Sequence, residues 1–195
     1  MEMKKISEIK FLVYTTVFGV LWGVFEMFIG TYLHLLNVPL RGAFMAGAGS
    51  VILCVSRFYV DKPGATLAMG MVAAAVKMLS FGAFKLGPVG GIIIESLIVE
   101  IVLTVFRLNL FSVFSACLLA CLEGVPHFFA TNWIIYGGDI FGAYLDVLKK
   151  ISAIFGIKTE FYWKIIFLWV SAHLLIGSLA GLAALSVMRK LKNER

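Results

Sequence analysis

The sequence has few charged residues, and this scarcity excludes a soluble globular domain. Asp, Glu, Lys and Arg make up 14% of its 195 residues, and 61% are hydrophobic, whereas soluble domains are about a quarter charged and about half apolar. The mean hydropathy is +0.98. We therefore predict an all-α integral membrane protein in which residues 1–195 form a single transmembrane helical domain, a single bundle of about six spans of ~20 residues each.

Cysteine is also scarce, and the motifs of common enzyme chemistry are missing. The three cysteines, Cys54, Cys117 and Cys121, lie in apolar runs without CxxC spacing, so they indicate neither a disulfide framework nor a zinc site. The sequence contains no GxxxxGK[ST], no HExxH and no GxSxG. We expect a protein that is not an enzyme, with no cofactor and no bound metal, and any use of ATP would require a partner.

Acidic residues are outnumbered by basic ones, which gives a formal net charge of +6. Most Lys and Arg lie between or outside the apolar runs, where they set membrane topology, so we expect no nucleic-acid binding. The basic N-terminus, Arg57, Lys62, Arg107 and the C-terminal tail fall on one side of an even-numbered bundle. This predicts a multi-pass protein of the cell (cytoplasmic) membrane with both termini cytoplasmic, although four lysines between residues 149 and 164 oppose that orientation.

The apolar runs predict six spans and one amphipathic helix. The spans cover residues 11–33, 42–60, 65–81, 92–106, 110–136 and 162–188. The first run is too long for a signal peptide and lacks an Ala-x-Ala-like cleavage site, so we expect it to remain in the mature protein. Before the last span, residues 140–158 are typical of a helix lying at the lipid interface, because one face is apolar (Phe141, Leu145, Leu148) and the other charged (Asp146, Lys149, Lys150).

The first span carries a carboxylate among glycines. Gly19, Gly23, Glu26 and Gly30 follow one another at steps of four, three and four, which places them on one stripe of a helix. A carboxylate at membrane depth costs about 2.5–3.5 kcal/mol on insertion scales, so the stripe must face the bundle or a water-filled cavity. Our hypothesis is that Glu26 belongs to a binding site; the alternative is a structural glutamate hydrogen-bonded between helices.

Ionisable residues from four spans are predicted to lie at a similar depth. Counted at ~1.5 Å per residue, Glu26, Lys77, Glu95 and His127 all fall in the outward half of the bilayer. Neighbouring loops and helix ends add further polar and aromatic side chains at that level: His34, Asn132, Trp133 and Tyr136. This coincidence predicts a pocket for a small molecule that is open to the outside.

The residue types suggest how such a pocket would work. Glu26, Glu95 and Lys77 would hold polar groups of the ligand, and the excess of carboxylate favours a ligand with N–H donors or positive charge. His127 and Asn132 would orient the ligand. The aromatic rings of Trp133 and Tyr136 would stack on a flat ring.

Each assignment has a structural alternative. Lys77 paired with Glu26 or Glu95 would be a lock between helices. The i, i+4 spacing of Glu123 and His127 predicts that they share a helix face, and His127 could be tied to that glutamate alone. Trp133 and Tyr136 could be interfacial anchors. Two further residues are expected to be structural: His173 packed on a face of small residues, and Glu100 satisfied by Ser96 and Thr104.

The sequence resembles the substrate-binding S component of energy-coupling factor (ECF) vitamin transporters. The resemblance rests on small size, about six helices, cytoplasmic ends, a pocket near the outer face, and the run FGAFKLGPVGG (81–91) before a helix that carries glutamate. It implies high-affinity capture of a vitamin or its precursor, followed by docking on a transmembrane coupling protein with two ATPases. The family commonly docks through Ala-x-x-x-Ala on the first helix. The corresponding pair here is Gly19 and Gly23, which alternatively pack inside the bundle.

Two other classes of function are compatible with the residues. An ion- or proton-coupled secondary transporter would use Glu26, Glu123 and His127 as a relay and would work without an ATPase. A further alternative is an intramembrane enzyme, which no catalytic motif supports, or a scaffold subunit in which the carboxylates are only structural.

Overall fold

A computed structural model of the chain describes residues 2–36, 38, 40–80, 85–136, 140–156, 158 and 162–194. In these ranges the chain is helical and contains no β-strand. The helices are α1 (Glu2–Phe25), a π-helical turn (Glu26–Gly30), α2 (Thr31–Leu35), α3 (Arg41–Tyr59), α4 (Ala65–Met78), α5 (Leu86–Val105), α6 (Leu110–Tyr136), α7 (Ile140–Phe155) and α8 (Tyr162–Asn193). The prediction of an all-α membrane bundle is confirmed.

Five helical stretches are long and apolar enough to cross a membrane: Glu8–Leu33, Arg41–Tyr59, Leu86–Val105, Leu110–Thr131 and Ile166–Asn193. The apolar helix α4 has 14 residues, about 21 Å at ~1.5 Å per residue, and is therefore shorter than a hydrocarbon core of ~30 Å. Together these helices identify a multi-pass membrane protein. The cytoplasmic position of both termini stays a prediction.

The start of α5 differs from the predicted span. This helix begins at Leu86, six residues before the expected start, so the Gly-Pro-Val-Gly-Gly run is helical rather than a loop. Pro88 is tolerated there because the N–H groups of the first helical turn have no intrahelical partner. Residues 81–84, assigned to the end of the third span and to the following loop, lie outside the described residues.

Helix α7 confirms the amphipathic segment, with a shorter length. It ends at Phe155, before Gly156 at φ +64°, the left-handed conformation that commonly terminates helices. Leu148 is buried in a cluster with Trp169 of α8. Leu145, expected on the same apolar face, is 52% exposed. The side chain of Phe141 lies outside the described part.

The bundle core depends on small residues that let large ones fit. Trp22 of α1 is fully buried and lies against Gly49 of α3, where a Cβ would come within 2.6 Å of the indole ring. The main core also draws apolar side chains from α3, α4, α5 and α6, among them Leu53, Met69, Val99, Leu103 and Val113. Such close helix approach is typical of membrane bundles.

At one end of the bundle a buried ion pair ties the α3–α4 turn to α5. Arg57 is 2% exposed, and its Nη1 donates to Glu100 Oε1 at 3.0 Å and Oε2 at 3.2 Å. The guanidinium also bonds Thr104 Oγ1, Asp61 Oδ1 and the Lys62 carbonyl. A buried charge is tolerated when it is paired and fully hydrogen-bonded.

The Glu100 carboxylate accepts four further hydrogen bonds. The Gly64 and Thr66 N–H groups donate to it at 2.7 and 2.9 Å, and the Thr66 and Thr104 hydroxyls at 2.5 and 2.6 Å. The prediction of Thr104 as a partner is confirmed. Ser96 is not a partner, because its hydroxyl bonds the Ile93 carbonyl of its own helix.

We predict that Glu100→Ala destabilises the protein strongly, because it removes the buried counter-ion of Arg57 and leaves only the exposed Asp61. Removing one partner of a buried pair typically costs about 3–5 kcal/mol. Asp61→Ala is the matched control, since Asp61 contacts the same guanidinium but its side chain is 61% exposed. Thermal unfolding of the two detergent-solubilised variants measures their stabilities. Equal losses of stability in Glu100→Ala and Asp61→Ala would contradict a dominant role for the buried pair.

Candidate functional site

At the opposite end of the bundle, the π-helical turn brings Glu26 to a lysine of α4. The Lys77 ammonium donates to the Glu26 backbone carbonyl at 2.6 Å, and its Nζ lies 3.7 Å from the carboxylate Oε2. Both residues are buried, at 6% and 5% exposure. A π-turn widens the helix locally and is frequent at functional sites. Here it lets a main-chain carbonyl of the first span bond a side chain of another helix.

A second pair lies on α6, where the predicted face of Glu123 and His127 is confirmed. His127 Nδ1 is 3.1 Å from Glu123 Oε1, and Nε2 is 2.9 Å from the Gly87 carbonyl oxygen of α5. A carbonyl only accepts hydrogen bonds, so Nε2 carries a proton. The proton between Nδ1 and the carboxyl group gives either an ion pair or two neutral groups, and the pair has no net charge in either form.

Glu95 lies between these two pairs and has no such partner. It is 9% exposed, and its Oε2 makes no hydrogen bond. Its Oε1 and His127 Nε2 both border Gly91, 3.8 and 3.5 Å from the position of an added Cβ. The carboxyl groups of Glu26 and Glu123 are close enough to act electrostatically on Glu95.

Trp22 adds a second unpaired polar atom to the same region. Its indole N–H is near the Glu26 carboxyl group but does not form a hydrogen bond with it. Among the described residues, Trp22 Nε1 and Glu95 Oε2 are the two buried side-chain N or O atoms without a partner. Sequence reasoning missed Trp22, although its position one helical turn before Glu26 is a signal for a shared face.

The structure thus brings together four of the predicted site residues: Glu26, Lys77, Glu95 and His127. Their neighbours Glu123 and Trp22 complete the group, which we call the polar cluster. It lies at the end of the bundle where α1, α4 and α6 finish and α5 begins.

The other predicted site residues are only partly described. Trp133, near the end of α6, is 51% exposed, which is compatible with either a stacking surface or an interfacial anchor. The side chains of His34, Asn132 and Tyr136 lie outside the described part. The stacking of Tyr136 and the orienting role of Asn132 therefore stay predictions.

His173 has the packed position expected for it. It is 3% exposed, its Nδ1 lies 2.9 Å from the Trp169 carbonyl, and its ring meets the Trp169 indole edge to face. Its Nε2 lies against Gly124 of α6. It makes no described contact with the polar cluster.

Gly19 and Gly23 face the inside of the bundle. A Cβ on Gly19 would come within 2.7 Å of the Met69 carbonyl, and one on Gly23 within 2.6 Å of Val76 Cβ. Both glycines are buried against α4. The packing alternative is the one observed, and an external protein docking on this pair would first have to separate α1 from α4.

The chain matches no protein-family model, no curated protein and no solved structure. Its function must therefore be argued from the site rather than from relatives. The resemblance to an S component stays a prediction.

We predict that Gly23→Ala destabilises the protein, because the added methyl group would meet the α4 backbone at Ala73 as well as Val76. Overpacking of this kind costs about 1–3 kcal/mol. Gly42→Ala is the control, since nothing lies within 4 Å of its added Cβ. We expect a lower melting temperature for Gly23→Ala than for Gly42→Ala. An unchanged value for Gly23→Ala would contradict the packing of α1 on α4.

We also predict that Lys77→Met destabilises the bundle by leaving the Glu26 carboxylate without a cation. The loss should approach the ~3–5 kcal/mol of a broken buried pair, and adding Glu26→Gln should restore part of it. Lys85→Met serves as the control, because the Lys85 ammonium bonds the Met78 carbonyl at an exposed position. If Lys77→Met and Lys85→Met cause the same loss in a denaturation assay, the buried pair contributes no more than the exposed contact.

Proposed function

We propose that this protein is a membrane-embedded substrate-binding subunit for high-affinity uptake of a small nitrogenous nutrient, such as a vitamin or its precursor. One observation carries the proposal: the polar cluster contains two unpaired buried atoms, the donor Trp22 Nε1 and the acceptor Glu95 Oε2, and both residues interact with Glu26. Buried polar atoms are almost always hydrogen-bonded. Two unsatisfied atoms in one cluster support a bound molecule that supplies their partners.

The contrast with the other end of the bundle supports the same conclusion. Around Arg57 and Glu100 the chain supplies every hydrogen bond from its own atoms. The polar cluster is of similar burial but stays incomplete. Unsatisfied buried polar atoms cost about 1–3 kcal/mol each, and a ligand with both a donor and an acceptor would remove that cost on binding.

The energy for uptake would come from other proteins. The sequence contains no phosphate-binding loop, so ATP hydrolysis would take place on a separate ATPase pair joined through a transmembrane coupling protein, as the resemblance to an S component implies. Because Gly19 and Gly23 are buried against α4, the coupling protein would dock on another surface of the bundle.

A second candidate is a proton-coupled secondary transporter. The Glu123–His127 pair shares a proton next to Glu95, an arrangement that suits a proton relay. Such a transporter reconstituted alone in liposomes would accumulate its solute when a pH gradient is applied. A subunit that depends on an ATPase partner would bind but would not accumulate.

The proposal predicts a bound small molecule. Native mass spectrometry of protein purified in mild detergent from cells grown in rich medium should show an added mass, and Glu95→Gln should reduce its occupancy at least tenfold. Glu8→Gln, a substitution at an exposed position, should retain it. If neither the wild type nor Glu8→Gln carries a ligand, and growth on limiting vitamins is unaffected by Glu95→Gln, the proposed function is wrong.

A further inference from the structure

The charges of the polar cluster do not balance within the chain. Lys77 compensates Glu26, and His127 compensates Glu123. Glu95 is the third carboxyl group, and no described residue offers it a cation or a hydrogen-bond donor at Oε2. An ionised carboxylate in that position would carry one uncompensated negative charge in a low-dielectric interior, which is strongly unfavourable.

Among the described residues, no further cation of the elements packed on this part of α5 interacts with Glu95. The first span contributes Glu26, α4 contributes Lys77, and α6 contributes Glu123, His127 and the thiol of Cys121. From α3, Arg57 is bound to Glu100 at the other end, and the partly buried Arg41, the first residue of the helix, has no described ion pair with the cluster.

We propose that Glu95 recognises one positive charge of the ligand and exchanges it for the proton that it holds while the site is empty. The step is balanced: the neutral carboxylic acid and a monocation give a carboxylate–cation pair and one released proton. The total charge of the cluster is the same before and after. This inference rests on the proposed function and assigns the substrate class to organic cations.

The surroundings of Glu95 favour a planar cation with adjacent N–H groups. Such a cation binds both oxygens of a carboxylate with two parallel hydrogen bonds. Oε2 is unpartnered, and Oε1 faces Gly91, which has no side chain to cover it. The indole N–H of Trp22 remains available for an acceptor on the same molecule. A protonated amidine carries the adjacent N–H groups, and a protonated amino-substituted ring with a second nitrogen carries the acceptor as well.

Exchange of a proton for a cation makes binding depend on pH. Where Glu95 is protonated in the empty site, each unit of increase in pH raises the apparent affinity for a monocation up to tenfold, which corresponds to ~1.4 kcal/mol. A neutral ligand of the same shape has no such dependence.

The test uses benzamidinium as the cationic probe and benzamide as its neutral counterpart, with the full chain in lipid nanodiscs. Titration calorimetry in two buffers of different ionisation enthalpy should show one proton released for each benzamidinium bound, and infrared difference spectra should show the loss of one carboxylic-acid C=O band. Benzamide should bind at least tenfold more weakly and release no proton.

The variants separate this inference from the proposed function. Glu95→Gln, checked for folding by its melting temperature, should lose both the proton release and the infrared band, and Glu8→Gln should keep them. Absence of benzamidinium binding, binding without proton release, or a band that persists in Glu95→Gln would overturn the exchange at Glu95. If a neutral or anionic molecule co-purifies and depends on Glu95, the proposed function stands and the cation assignment is wrong. If nothing co-purifies and neither probe binds, both are wrong.

Discussion

The cost of burying charge in hydrocarbon is the constraint on which the rest of this structure depends. The chain treats its buried charges differently at the two ends of the bundle. Arg57 and Glu100 are joined to each other and to neighbouring hydroxyl and main-chain groups, so that end needs nothing from outside. At the other end, Glu26 and Glu123 have basic partners but Glu95 has none. That difference distinguishes a structural lock from a site that can bind.

Glycine determines how near the polar groups come to one another. Gly23 lets α1 approach the α4 backbone closely enough for the Lys77 ammonium to reach Glu26. Gly90 and Gly91 lie against the His127 ring, which bonds the Gly87 carbonyl of the same helix α5. The small residues allow the helices to pack closely around the ionisable residues. Close packing lowers the local dielectric constant, which strengthens each polar interaction.

The sequence predicted the helices and the common level of four polar residues along the bundle because both follow from apolar length and a fixed rise per residue. The rotation of each helix and the choice of partners depend on packing that a single chain does not reveal. Arg57 was therefore counted only among the basic residues that set topology, although it is 2% exposed. The start of α5 was missed because Pro and Gly indicate a loop unless a first helical turn accommodates them. The π-turn at Glu26 has no signature in the residue pattern.

A purely structural role would not require a carboxyl group at Glu95. Glutamine has nearly the same shape and carries no charge, so it would fill the position beside Gly91 without the desolvation cost of an acid. A carboxyl group differs from an amide in two respects: it can give up a proton, and it can then hold a cation. Both properties need a position with no permanent counter-ion, which is what Lys77 and His127 leave open by pairing with Glu26 and Glu123. In the proposed exchange, those two pairs leave Glu95 able to hold either a proton or a cation, a role that Glu100 with its own ion pair would not have.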